Sequence, residues 1–233
     1  MRTSPLPSVT SAAAVAAAAV AARPVSLPAR ALELLLLFVV LPAAVRAGLV
    51  PGPRLLVLAA VATGCVLLLA ADPGFDRRRL WSAGGLSGQA GGVALRAAIA
   101  ALVIAGLVLW LEPARLLAMP RERPWLWLAG LALYPLVSAW PQEVVYRVFF
   151  FHRYRDLFPG PRSALAANAV AFAVLHLVYP NAVAPLLSLP AGLVLGWTYL
   201  RTRRLGPVWL EHSIYGVLLF TLGLGRFFYD GRG

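Results

Sequence analysis

Three ionisable side chains stand inside, or at the edge of, otherwise apolar runs. Glu143 lies in Trp140-Pro141-Gln142-Glu143-Val144-Val145-Tyr146-Arg147. His176 closes Phe172-Ala173-Val174-Leu175-His176, and His212 lies in Glu211-His212-Ser213-Ile214-Tyr215-Gly216. An ionisable group held in lipid is costly and is by default a functional hypothesis. A carboxylate and two imidazoles are the groups of general acid–base catalysis. One takes a proton from water while others orient it and protonate a leaving group. Taken singly, each residue has a plainer reading. Glu143 and Arg147, four apart on one helix face, can form a structural ion pair. His176 can be a hydrogen-bonded packing residue, and Glu211 a first-turn acid favoured by the helix dipole. His152, beside Arg153, reads as a solvated flank.

Depth separates the two readings. At a rise of 1.5 Å per residue, Glu143 is about 15 Å along its helix from Arg153, His176 about 21 Å from Arg162, and His212 about 12 Å from Arg204. The three reference arginines fall on one side of the bilayer, so the three groups fall in one layer. Two His and one carboxylate could also hold zinc. The chain has no His-Glu-x-x-His run, however, and its single cysteine, Cys65, lies in an apolar stretch. The expectation is a site without metal or other cofactor.

The elements that must carry these residues are membrane spans. The chain has 233 residues, is 61% hydrophobic and only 13% charged. That balance excludes an ordinary soluble enzyme, a disordered tail and a disulfide-rich secreted module. Continuous apolar segments of spanning length fall at about 31–49, 55–71, 93–111, 125–150, 163–179, 182–200 and 207–225. The predicted fold is all-α, a polytopic transmembrane helical bundle of about seven spans. The fifth and sixth spans are parted only by Tyr179-Pro180-Asn181 and so form a tight hairpin. Pro135 and Pro141 each remove a backbone donor and should kink the fourth span. Such breaks are tolerated in lipid where the freed carbonyls face protein or a wet cavity. No inverted repeat suggests a transporter.

The 21 basic residues are all arginine, against 9 acidic, for a net charge of +12. They lie between the apolar runs, where they set topology rather than bind nucleic acid. Twelve loop arginines fall on the side of the N-terminus and seven on the other. The N-terminus is therefore expected in the cytoplasm. The Arg-only, Ala-rich composition fits a bacterial protein of the inner (cell) membrane. Residues 1–30 read as a low-complexity tail, with a cleaved signal as the alternative. Residues 31–124 read as N-terminal transmembrane helices and 226–233 as a C-terminal tail.

The order Glu-x-x-x-Arg, Phe-x-x-x-His, His-x-x-x-small over residues 125–225 resembles the CAAX prenyl protease and bacteriocin-processing family of intramembrane glutamic endopeptidases. The strongest piece is Gln142-Glu143-Val144-Val145-Tyr146-Arg147 with Phe149-Phe150. The resemblance makes 125–225 the catalytic-core helices. It implies that His176 helps to activate water, that His212 stabilises the oxyanion, and that Arg147 braces the acidic pair. Glu143 matches the second Glu of the family's pair. Two positions depart from the pattern: Gln142 stands at the first Glu, and Gly216 at the final Asn. Gln cannot be a general base, so Glu143 becomes the expected base, with Pro141 letting the helix rotate or unwind. Gln142 would then position water or the scissile carbonyl. Gly216 removes an oxyanion donor, a loss worth about 10²–10³ in rate elsewhere, or makes room for substrate or water. The implied activity is endopeptidase cleavage of membrane-anchored or hydrophobic peptides in the lipid bilayer. The alternative is a catalytically silent member of the family that binds a peptide or membrane partner.

Overall fold

A computed structural model describes residues 25–81 and 86–229, and all regular structure among them is helical. Seven long helices follow one another. They are α1 (Leu27–Arg46), α2 (Arg54–Ala71), α3 (Leu86–Leu111), α4 (residues 124–153), α5 (Pro161–Leu175), α6 (Val183–Thr202) and α7 (Leu205–Leu222). By length and composition, all but α4 qualify as membrane spans as they stand, α5 when its terminal turn to Val178 is included. The fourth is continuous but is interrupted by two wide π turns, Pro135–Ala139 and Val144–Phe149. The chain is thus a multi-pass membrane protein of about seven spans. Expectations for residues 1–24 and 230–233 lie outside the described residues. The first span begins at Leu27, four residues inside the expected tail, because Ser26 caps it by accepting from the Ala29 N–H and Pro28 occupies its first turn.

Helix α4 is the axis of the bundle. Every residue from Pro141 to His152 is buried, whereas α1, α2 and α3 expose rows of Leu, Val and Ile. A helix buried on all faces must be covered on all faces. Helices α2, α5 and α7 pack directly on α4, and α1 docks through Phe38. Phe38 makes edge-on contacts with Tyr146, Phe150 and Tyr154 at 5.0, 5.3 and 5.8 Å between ring centroids. Glu33 of α1 then clamps the end of α4. It accepts two hydrogen bonds from Arg153, at 3.0 and 2.8 Å, and one from the Tyr154 hydroxyl.

The α5–α6 hairpin forms as expected, with Asn181 Oδ1 accepting from the Ala184 N–H at the start of α6. Its helices approach closely because Gly192 faces α5. A Cβ there would stand 3.0 Å from Ala169 Cα. Small residues at such crossings let lipid-embedded helices gain dispersion contact.

Two expectations are corrected. His152 is not a solvated flank: it is buried, 2.8 Å from Asp72, and packs edge-on against Phe75. Glu211 is not a first-turn acid, since α7 begins at Leu205, six residues earlier. It is fully buried and holds α3, α6 and α7 together, accepting from Arg96 Nε (2.6 Å), Thr198 Oγ1 (2.6 Å) and the Tyr215 hydroxyl (2.7 Å).

Candidate functional site

The two π turns of α4 begin where its register changes. Pro135 lacks an N–H, and its own carbonyl accepts from Trp209 Nε1 on α7 at 2.6 Å. The turn Val144–Phe149 follows directly after Glu143. Single π turns widen a helix and recur at functional sites. Here the expected kink takes the form of local underwinding. It leaves Gln142 and Glu143 pointing to different neighbours.

Glu143 faces α7 and is 0% exposed. Its Oε1 lies 2.8 Å from His212 Nδ1. Its Oε2 approaches Arg147 Nε at 3.3 Å, close enough for an ion pair but without hydrogen-bond alignment. Arg147 is also 0% exposed. It donates from Nη1 to Asn168 Oδ1 (2.9 Å) and to the Tyr146 carbonyl (3.3 Å), and its guanidinium carbon lies 4.7 Å from the centre of the Phe172 ring. The Asn168 amide donates to the same Tyr146 carbonyl. A buried charge pair is costly unless its remaining donors find partners. Here Asn168 and the Tyr146 carbonyl take Nη1 and the Phe172 face covers the guanidinium, while Nη2 has no hydrogen-bond partner among the described residues.

His212 is buried, and both its ring nitrogens are engaged. The carboxylate of Glu143 only accepts, so Nδ1 carries the proton and donates to it. Nε2 then holds the lone pair, and the Tyr134 hydroxyl, 3.1 Å away, donates to it. Gly216 makes that approach possible, since a Cβ there would stand 2.1 Å from Tyr134 Cε1 and Cζ.

His176 ends α5 as the helix tightens into a 3-10 turn, His176–Val178. Its Nδ1 is 2.8 Å from the Phe172 carbonyl. A carbonyl only accepts, so this nitrogen carries the proton and Nε2 keeps its lone pair. Phe172 stands between the two histidines, 4.8 Å from the His176 ring and 5.6 Å from the His212 ring. The structure therefore joins Glu143, His212, Arg147 and Tyr134 in one hydrogen-bonded and ion-paired chain, and sets His176 beside it across one aromatic ring.

Gln142 and His176 share a different feature. Both line a cavity of about 100 Å3 among α1, α2, α4 and the end of α5; Glu143 and His212 do not. The walls are mostly Leu, Val and Pro. The polar lining is Ser138, Gln142, His176, Tyr146, Tyr179 and Arg54, with the Arg54 guanidinium over the Tyr179 ring. Gln142 donates from Nε2 to Ser138 Oγ at 2.9 Å, and its Oε1 has no hydrogen-bond partner among the described residues. Among the described residues, no three His, Cys, Asp or Glu side chains gather as metal ligands.

Sequence reasoning missed Tyr134, Asn168 and Arg96. Asn168 and Arg96 are polar groups in apolar spans, so the rule that singled out His176 applies to them equally. Tyr134 carries no such signal, because in a sequence it reads as one more aromatic.

The described residues thus form a bundle of helices, six of them long and apolar enough to cross a membrane, around a buried carboxylate–imidazole pair. Residues 124–218 match the family described as type II CAAX prenyl endopeptidase Rce1-like. No curated protein matches the chain, nor does any solved structure.

Proposed function

We propose that this protein is an intramembrane endopeptidase that cleaves membrane-anchored or hydrophobic peptides. The observation that carries the reading is the pairing of His176 with Gln142 on one apolar cavity. Gln142 Oε1 has no hydrogen-bond partner among the described residues, and His176, held through Nδ1, keeps the lone pair of Nε2. A water there donates one hydrogen to Gln142 Oε1 and the other to His176 Nε2. His176 takes its proton as the oxygen adds to the scissile carbonyl. The resulting imidazolium then protonates the amine as the C–N bond breaks. The base is thus His176 rather than Glu143. Glu143 instead holds His212 and compensates Arg147. The apolar cavity wall suits a hydrophobic chain, and the arginine asymmetry supports a cytoplasmic N-terminus in a bacterial inner membrane.

A second reading has its own observation. Glu143 is fully buried with both oxygens engaged, and the residue facing the cavity is an amide. On that reading the protein binds a peptide or membrane partner without cutting it.

One experiment separates them. Purified protein in lipid bilayers is given a library of hydrophobic peptides, with and without chelator. Wild type, His176→Ala, Glu143→Ala and Gln142→Glu are compared, with thermal melts as a check of folding. Cleavage by wild type that is lost in folded His176→Ala supports the endopeptidase. An inert wild type alongside a cutting Gln142→Glu supports the silent binder. Full activity in His176→Ala overturns the assignment of the base.

A further inference from the structure

The Tyr134 ring is held on its edges by Phe220 and His212, at 5.8 and 6.1 Å between centroids. On α7 the ring lies against Gly216, where even the smallest side chain would overlap the ring and would reach within 2.3 Å of its hydroxyl oxygen. The hydroxyl therefore reaches His212 Nε2 through a space that exists only because residue 216 lacks a Cβ. At the opposite end of the imidazole, Glu143 holds Nδ1 at 2.8 Å. A neutral imidazole has one donor and one acceptor nitrogen, and the partner of each nitrogen fixes which is which. With a carboxylate on one side and a hydroxyl on the other, His212 is confined to a single tautomer and a single ring orientation.

We propose that Tyr134 is a positioning residue for His212 and that Gly216 is the matching space that admits it. In the neutral chain, Nδ1–H points to Glu143 and Tyr134 O–H points to Nε2. Adding one proton at Nε2 reverses the last bond. Nε2–H then donates to the Tyr134 oxygen, and the hydroxyl hydrogen is released to face a new acceptor. Glu143, His212 and Tyr134 thus form a relay whose outer end changes from acceptor-facing to donor-presenting with a single proton. The assignment concerns the same site as the endopeptidase reading, but its test does not depend on turnover.

The chain has only three histidines, so nitrogen NMR of 15N-histidine-labelled protein in lipid nanodiscs can follow each one. Wild type is expected to show His212 as one Nδ1–H tautomer. Tyr134→Phe keeps the ring and removes only the hydroxyl. In this variant His212 is expected to become a mixture of tautomers, while His152 and His176 stay unchanged and the melting temperature holds. Gly216→Ala, by displacing the ring, is expected to give the same His212 signature. Tyr134→Phe is sufficient by itself if Gly216→Ala does not fold. A His212 tautomer unmoved by Tyr134→Phe would overturn the proposal, whether or not any peptide is cleaved.

Discussion

The ring of Tyr134 occupies the volume that any side chain at residue 216 would fill: a Cβ on Gly216 would stand 2.1 Å from two of its carbons. The two residues are far apart in sequence, on α4 and α7, and each limits what the other can be. Overpacking a filled interior generally costs about 1–3 kcal/mol. Gly216→Ala is expected to lower stability by about that amount. Tyr134→Ala in the same chain should recover much of the loss, while Tyr134→Phe should not, because the clash is with ring carbons. Thermal melts of the three single and two double variants in bilayers test this; additive losses would contradict it.

Arg147 supports two elements at once. Removing one partner of a buried ion pair leaves the other charge uncompensated, at a cost of about 3–5 kcal/mol. Arg147→Ala is expected to fall in that range, since it strips Glu143 of its cation and Asn168 of a donor. Arg147→Lys should rescue little, because one ammonium cannot reach Glu143, Asn168 and the Phe172 face in the geometry of a planar guanidinium. Denaturant or thermal unfolding in detergent measures both, and a wild-type-like Arg147→Lys would refute the claim.

Arg96, partly exposed, and the buried Glu211 form a second ion pair, and neither lines the cavity. Arg96→Ala should destabilise the bundle by loosening α3 from α6 and α7, yet leave the catalytic rate per folded molecule unchanged. Active-site titration combined with a melt distinguishes the two effects. A fall in rate per folded molecule would show that this cluster belongs to the site.

Asp72 lies beyond the end of α2. Hydrogen bonds from His152 and from the Gly74 N–H hold its carboxyl below the usual carboxylate range. A carboxyl depressed in the folded state stabilises that state above its unfolded pKa, and the stabilisation is lost as pH falls. The wild type should therefore lose stability as pH drops below about 4. Asp72→Asn should be less stable at neutral pH and show a flatter acid limb. Parallel acid limbs in the two proteins would remove Asp72 from the account.

Much of this molecule can be read from its sequence. Spans in lipid must satisfy their own backbone and present apolar side chains, so seven apolar runs mark seven helices with little ambiguity. The tight turn at Tyr179-Pro180-Asn181 dictates a hairpin for the same reason. Glu143, His176 and His212 stand out because charge in an apolar run is costly, and a helix rise of fixed length puts them at one depth. Partnership is different. Periodicity gives a residue's height along its own helix but not which neighbour it meets. His152 reads as a solvated flank, and Glu211 as a first-turn acid, because each sits near a segment edge. Packing instead buries both, against Asp72 and against Arg96.

The division falls along one physical line. By itself the sequence determined what is local or one-dimensional: the spans, their order, the layer of ionisable groups, and the departures at Gln142 and Gly216. Only the tertiary structure decided how adjacent residues divide. The π turns on either side of Trp140–Glu143 send Gln142 to the cavity with His176, and Glu143 to His212 and Arg147. It also decided that a missing Cβ on one helix is filled by a tyrosine on another. A void is a property of two surfaces in contact, and no single stretch of chain encodes both.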